Sequence, residues 1–206
     1  MSVDILSIGA GNVRSIQHWI ESAFISTRIV HRASDIKSDI LILPGVGAAG
    51  FYMERLKSGS FDKAIIEHTE SGKRLIGICL GFQVLSSHTE EDGGIEGLGL
   101  LPGEVIKLSD TTHNGWESFD LQKCNLRQSA FCSPSQLTRK QKVTGRVFYN
   151  HEYGYQHTGD VDAFELPISE SFNKYNAMLV KDNILGLQFH PEKSQQTGHE
   201  LLKLML

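Results

Sequence analysis

Long apolar runs are missing from this chain of 206 residues: no stretch approaches the roughly 20 residues a helix needs to cross a bilayer. Cysteine is scarce and odd in number. Cys79, Cys124 and Cys132 show neither C-x-x-C nor secreted-framework spacing, which argues against a disulfide scaffold and for a reducing, cytoplasmic home. Met1-Ser2-Val3-Asp4 lacks the basic start of a secretory leader. Blocks of positive charge are absent too. The net charge is −4, and the densest basic run, Arg139-Lys140-Gln141-Lys142, is short enough to be a solvated surface, so neither nucleic acid nor a membrane is expected as a partner. The histidines form no set with cysteine or carboxylate at metal-ligand spacing, and His18, His31, His68, His88, His157 and His199 read as surface groups. Internal repeats and low-complexity linkers are lacking. With 40% apolar and 21% charged residues, the length reads as one domain over residues 1–206.

What is present alternates. Residues 3–8 read as a strand, and Ile16, Trp19, Ile20, Ala23 and Phe24 then recur at helical spacing. Residues 27–31 and 39–43 read as the second and third strands, the third nearly all apolar and hence central. Helical stretches at 48–57 and 61–71 follow, then a strand at 73–79 and a helix at 80–87. Strands alternating with helices, each strand nearly continuous in apolar residues, predict an α/β fold with a mostly parallel central sheet flanked by helices. From about residue 91 to 170 the character changes to glycines, polar loops and short β-rich runs (104–108, 143–150), which predict an antiparallel extension. Two more strands, 177–180 and 184–190, flank a turn at Lys181-Asp182-Asn183, and 195–206 closes as a helix.

Gly77-Ile78-Cys79-Leu80-Gly81 follows the apolar run Arg74-Leu75-Ile76. A nucleophile between two glycines at a strand-to-helix turn is the pattern that holds a reactive side chain up at a strand end. A thiol of ordinary pKa is only a few per cent ionised at neutral pH, so it needs a nearby imidazole. His190-Pro191-Glu192 supplies one, with a carboxylate to orient it. Proline biases His190 toward extended geometry, and an extended tripeptide would place His190 and Glu192 on one face. The predicted catalytic residues are therefore Cys79, His190 and Glu192. The Leu80 N–H, opening a helix, would face an oxyanion on an acyl-cysteine. The Pro44-Gly45-Val46-Gly47 loop after the third strand reads as a turn, a phosphate cradle or a second oxyanion donor. Gln83, one helical turn beyond Cys79, offers an amide to a substrate. Gly9-Ala10-Gly11 begins like a dinucleotide fingerprint, but Arg14 stands at the third glycine position and no acidic ribose partner follows, so Asn12 is expected to cap the first helix instead.

These residues resemble those of the class I (triad-type) glutamine amidotransferases, in detail the glutaminase subunits of imidazole glycerol phosphate synthases. The likeness runs nearly end to end, through Gly11-Asn12 with Ser15, Leu43-Pro44-Gly45-Val46-Gly47, Gly77-Ile78-Cys79-Leu80-Gly81-Phe82-Gln83, Gly97-Leu98-Gly99 with Pro102-Gly103-Glu104-Val105, and Gly186-Leu187-Gln188-Phe189-His190-Pro191-Glu192-Lys193-Ser194-Gln195. It implies a flavodoxin-like sheet, glutamine hydrolysis through a cysteine thioester, no cofactor and no metal. It also implies delivery of ammonia to a (β/α)₈ cyclase subunit in a heterodimer of histidine biosynthesis. By resemblance, Gly45, Val46, Gly47, Leu80, Gln83, His151, Glu152 and Tyr153 bind substrate or its oxyanion, and Asn12, His113, Trp116 and Lys193 face the partner. Thr112-His113-Asn114-Gly115-Trp116-Glu117 and Tyr149-Asn150-His151-Glu152-Tyr153-Gly154 depart from the usual Pro-His-Met-Gly-Trp-Asn and Phe-Val-His-Ser-Tyr-Tyr. Such drift would suit a paralogue feeding a surface-polysaccharide sugar amidotransferase. A stand-alone Cys-His hydrolase and a non-catalytic binding module are further alternatives. The first is disfavoured by Gln83 and the residues after His190, the second by an intact triad.

Overall fold

The computed structural model describes residues 2–108, 112–121, 143–159, 162–165 (backbone only) and 175–206. Cys124, Cys132 and the basic run at 139–142 lie outside them. In chain order the elements are β1 (Ser2–Leu6), α1 (Val13–Glu21), β2 (Ser26–Val30), β3 (Ile40–Gly45), α2 (Ala49–Ser58), α3 (Phe61–Glu70), β4 (Arg74–Cys79), α4 (Leu80–Gln83), β5 (His88–Thr89) and β6 (Ile95–Glu96). There follow β7 (Gly103–Lys107), β8 (His113–Asp120), β9 (Thr144–His151), β10 (Tyr153–His157), β11 (Asp162–Glu165), β12 (Asn176–Lys181), β13 (Ile184–Leu187) and α5 (Gln195–Met205).

Among the described residues the main sheet has seven strands in the order β11-β12-β13-β4-β3-β1-β2. The run from β13 to β2 is parallel, while β11, β12 and β13 pair antiparallel, the expected extension of the sheet at one edge. Two smaller antiparallel or mixed sheets, β10-β7-β5-β6 and β8-β9, decorate it. The period of two along a strand divides the core. Ile40 and Ile42 of β3 face α1 and α5 with Ile16, Ile20, Leu201 and Leu202, while Leu41 and Leu43 face α2 and α3 with Tyr52, Leu56 and Ile65. All six β3 positions are buried, so the strand reads as an uninterrupted apolar run. Each such Leu or Ile contributes about 1.5–3 kcal/mol relative to exposure.

β3 is interior as expected, though β4, the strand that ends in Cys79, holds the middle of the order. Four expectations need correction. Phe24 does not belong to the first helix: α1 ends at Glu21, and Phe24 sits in the left-handed region (φ 60) and is fully exposed, because the chain must turn sharply toward β2. The helix after Cys79 has a single α turn, continued to Ser86 by turn hydrogen bonds from Val84, Leu85 and Ser86. β13 stops at Leu187. Beyond it the Gln188 N–H reaches Ala177 and the His190 N–H reaches Phe148, so the chain crosses from the main sheet toward β9. His68 is also not a surface group; it is buried, with Nε2 donating to the Arg74 carbonyl at 3.0 Å. No helix of the described residues is long and apolar enough to cross a membrane.

Candidate active site

β4 delivers Cys79 to the end of the sheet at φ 55, ψ −113, a conformation that an L side chain adopts only when its surroundings hold it there. The two glycines that permit the turn face each other: a Cβ on Gly81 would strike the Leu43 carbonyl, and one on Gly45 would strike the Gly81 nitrogen. β3, paired Gly45 to Cys79 with β4, therefore packs directly under α4. Gly45 serves as this close contact and does not itself line the cleft, unlike the substrate role expected for it. Val46 and Gly47 do line it, Gly47 at φ 105 and Val46 partly exposed, beside Leu80 at the start of α4.

His190 and Glu192 meet as predicted in chemistry but not in backbone. His190 is extended (φ −98, ψ 94), yet Pro191–Lys193 form a 3₁₀ turn, with proline at the first helical position where its missing N–H is harmless. The turn carries the Glu192 carboxylate back, so that His190 Nδ1 donates to Oε1 at 2.9 Å with both side chains buried. Burial presses the imidazole pKa down. Hydrogen bonds and charge from Cys79 and Glu192 outweigh it and push it up to about 10. The ring is thus cationic between the sulfur and the carboxylate. Asn12 occupies the N-cap of α1 without capping it; its Nδ2 instead reaches Glu192 Oε1 at 3.5 Å.

The cleft over Cys79 measures about 290 Å³ and is lined by Val46, Gly47, Leu80, Gln83, His151, Glu152 and Tyr153 of the predicted set. Gln83 is turned inward: its Nε2 donates to the Tyr153 carbonyl at 2.7 Å and to Gln188 Oε1 at 3.2 Å. Gln188 in turn places its amide 4.0 Å from Cys79 Sγ. His113, expected to face a partner, is buried instead: its Nδ1 pairs with the Tyr175 hydroxyl at 2.7 Å and its ring stacks on Tyr149. Across the β8–β9 pairing it stands opposite His151. Trp116 and Lys193 do remain on the surface, both against Phe148.

Glu91 is a cleft residue that the sequence reading missed. It accepts from the Ala49 N–H while its neighbour Asp92 accepts from the Gly50 N–H at 2.9 Å, so this turn caps α2 from outside. Burial first, then the charges of Asp92 and Glu152, push the Glu91 carboxyl up to about 7. The only signal was the acidic run Glu90-Glu91-Asp92 ahead of Gly93-Gly94. Among the described residues no three His, Cys, Asp or Glu side chains gather as metal ligands.

A thiol at a strained turn, beside a cationic imidazole and opposite a glycine loop, is equipped for acyl transfer. The family described as "Glutamine amidotransferase class-I" matches residues 5–206. Similar proteins include the "Imidazole glycerol phosphate synthase subunit HisH" of Syntrophotalea carbinolica, 32% identical over 97% of this chain and 96% of that one. The protein of the same name from Oceanobacillus iheyensis is 34% identical over 98% and 96%. The "Imidazole glycerol phosphate synthase hisHF" of Emericella nidulans is 34% identical, covering all of this chain and 38% of its own length. In fold, the chain is similar to the "Structure of PurLQS from Thermotoga maritima", with TM-score 0.74 at 20% identity over 99% and 96% of the two chains. A match running from residue 5 to the final residue, with relatives of this identity from end to end, makes the chain a member of the class I glutamine amidotransferases.

Proposed function

We propose that the chain is the glutaminase subunit of an imidazole glycerol phosphate synthase and supplies ammonia to a cyclase subunit. The observation that carries the chemistry is the strained Cys79 turn beside the His190–Glu192 pair. Cys79 Sγ attacks the γ-carbonyl carbon of glutamine, and the C–S bond forms with the thiol's proton already held on the cationic ring of His190. The tetrahedral oxyanion points at the N–H groups of Leu80 and the Val46-Gly47 loop. His190 then gives its proton to the leaving nitrogen, the C–N bond breaks, and ammonia departs from a γ-glutamyl thioester. Water loses a proton to His190 as it attacks the thioester, and glutamate leaves as the thiol is restored. Glu192 keeps the imidazole oriented and supports its charge. Glu91 and Glu152 both line the cleft, and an α-ammonium group bound there would favour the ionised form of Glu91, whose carboxyl burial pushes up.

The names carried by relatives over nearly the whole chain support a histidine-pathway acceptor rather than a sugar amidotransferase. The fused fungal protein supports an acceptor that works in physical contact with the glutaminase. A cytoplasmic location accords with this assignment. The test is the complex of this chain with its cyclase. With Cys79→Ala, glutamine-dependent synthesis should vanish while synthesis from ammonium salt persists; loss of both, or retention of both, would overturn the division of labour.

A further inference from the structure

The loop that lines the cleft beside Leu80 is held by a residue that the reaction above does not use. β3 pairs with β1 only as far as Ile42, whereas its pairing with β4 runs on to Gly45. The last residues of β3 are thus braced by the sheet on one side alone. Tyr52 of α2 supplies a further tie. Its side chain is fully buried, and its hydroxyl donates to the Pro44 carbonyl at 2.8 Å. Its backbone N–H donates to the Ala48 carbonyl at 3.1 Å, the bond that opens α2. One residue therefore ties both ends of the stretch Gly45-Val46-Gly47.

A peptide unit is planar, so fixing the Pro44 oxygen fixes the plane that carries the Gly45 N–H. Two close approaches crowd the same plane. A Cβ on Gly11 would stand 3.1 Å from the Pro44 oxygen, and one on Gly45 would strike the Gly81 nitrogen in α4. The middle of the loop is open by comparison: Val46 is partly exposed, and a Cβ on Gly47 would meet nothing within 4 Å. Burial pushes the Tyr52 phenol's pKa up, so the hydroxyl keeps its proton and remains a donor at every working pH. Without that hydroxyl the buried Pro44 carbonyl would lose its donor, and rotation of the peptide toward water would be the way to satisfy it.

We infer that Tyr52 is a positioning residue for the oxyanion loop: through the Pro44 carbonyl it sets the Gly45–Gly47 stretch so that a loop N–H faces the oxygen of the tetrahedral intermediate. The inference rests on the glutaminase reading and gives a cause for the loop conformation which that reading requires. Tyr52 does not line the cleft, so it acts through the backbone alone. An oxyanion donor works in the transition state far more than in the bound ground state, so a displaced loop lowers kcat and leaves KM nearly unchanged.

Tyr52→Phe keeps the ring in the core and removes only the hydroxyl. In the complex with the cyclase, kcat for glutamine should fall roughly five- to thirtyfold while KM stays within about twofold. Alkylation by iodoacetamide, followed on the Cys79 peptide, is a displacement at carbon that forms no oxyanion. Its rate should stay within about twofold, which separates a displaced loop from a damaged thiol or a loosened fold. An equal loss in both reactions, a loss confined to KM, or an unchanged kcat would overturn the inference. A second measurement needs no variant. In the wild type the Tyr52 hydroxyl proton should be protected from exchange and show scalar coupling across the bond to the ¹³C of the Pro44 carbonyl; a freely exchanging hydroxyl overturns the inference equally. A wild-type complex that is alkylated at Cys79 but hydrolyses no glutamine would sink the glutaminase reading itself, and this inference with it. Normal wild-type turnover beside an equally active Tyr52→Phe would sink the inference alone.

Discussion

In the proposed reaction Glu192 acts on chemistry that it never touches. Its carboxylate accepts from His190 Nδ1 and helps hold the ring cationic beside the sulfur. Glu192→Gln keeps the size and removes the charge, so glutamine turnover should drop roughly a hundred- to ten-thousandfold. The imidazolium would also be lost at a lower pH than in the wild type, which a pH–rate profile reads; an unchanged profile and rate would remove Glu192 from the triad. His151 gives a stability prediction of opposite sign. Its folded pKa of about 3 lies below the ordinary 6.5, so the unfolded chain binds a proton first as pH falls. The stability it gives is complete above about pH 6.5 and is lost on the way down to about 3. At about pH 5 that loss is about 2 kcal/mol, and denaturant titrations at pH 5 and 7 should show it in the wild type and not in His151→Phe. The proposed triad could be read from the sequence because each member sits in a local motif whose chemistry is carried by neighbours. Glu91 and Gln188 were not assigned, because what they touch, Ala49 in one case and Gln83 with Cys79 in the other, lies far away along the chain. The burial of His113 was hidden for the same reason: it depends on Tyr149, His151 and Tyr175 arriving from other strands.

The turns that end β4 and β13 do most to place the site, and they show the limit of reading elements from pattern. Continuous apolar runs made β3 and β4 legible as buried parallel strands, since alternation carries no information when both faces are covered. The same rule could not tell that β13 stops before Gln188, because the residues that draw the chain away belong to β9. Nor could it tell that Pro191–Lys193 would coil, since a proline satisfies an extended and a helix-opening position equally well. At the end of β4 the strain is measurable. Cys79 holds φ 55 and ψ −113, where a Cβ is unfavourable by about 1–3 kcal/mol. Replacing it with glycine removes that penalty, whereas alanine retains it, and both lose the sulfur. Cys79→Gly should therefore unfold at higher denaturant than Cys79→Ala by about 1 kcal/mol, with both inactive toward glutamine. Alanine the more stable of the two would mean that the turn is relaxed and that its conformation is not stored strain.

At the scale of the whole molecule, the catalytic groups and the proposed docking surface share one segment. Behind the Glu192 turn, Lys193 lies over the Phe148 ring, Trp116 meets Phe148 edge-on, and Arg146 reaches over Trp116 with its Nη2 on the Trp116 carbonyl. Phe148 also holds the His190 backbone through its carbonyl. Half-exposed aromatic rings bordered by cations are the composition of an interface anchor with a charged rim. A partner seated there would press on the same strand that positions the imidazole, which gives docking a direct route to the glutaminase. The two kinds of residue should then fail differently in the complex. Trp116→Ala removes a half-exposed aromatic anchor and should weaken the cyclase complex by about 2 kcal/mol, chiefly through faster dissociation. Lys193→Ala removes a rim charge, so it should slow association at low ionic strength, and the defect should fade as added salt screens the wild-type charge. Association and dissociation rates measured across a salt series separate the two. Unchanged rates for both variants would move the docking surface away from the Glu192 turn and leave the coupling between partner and triad without its physical link.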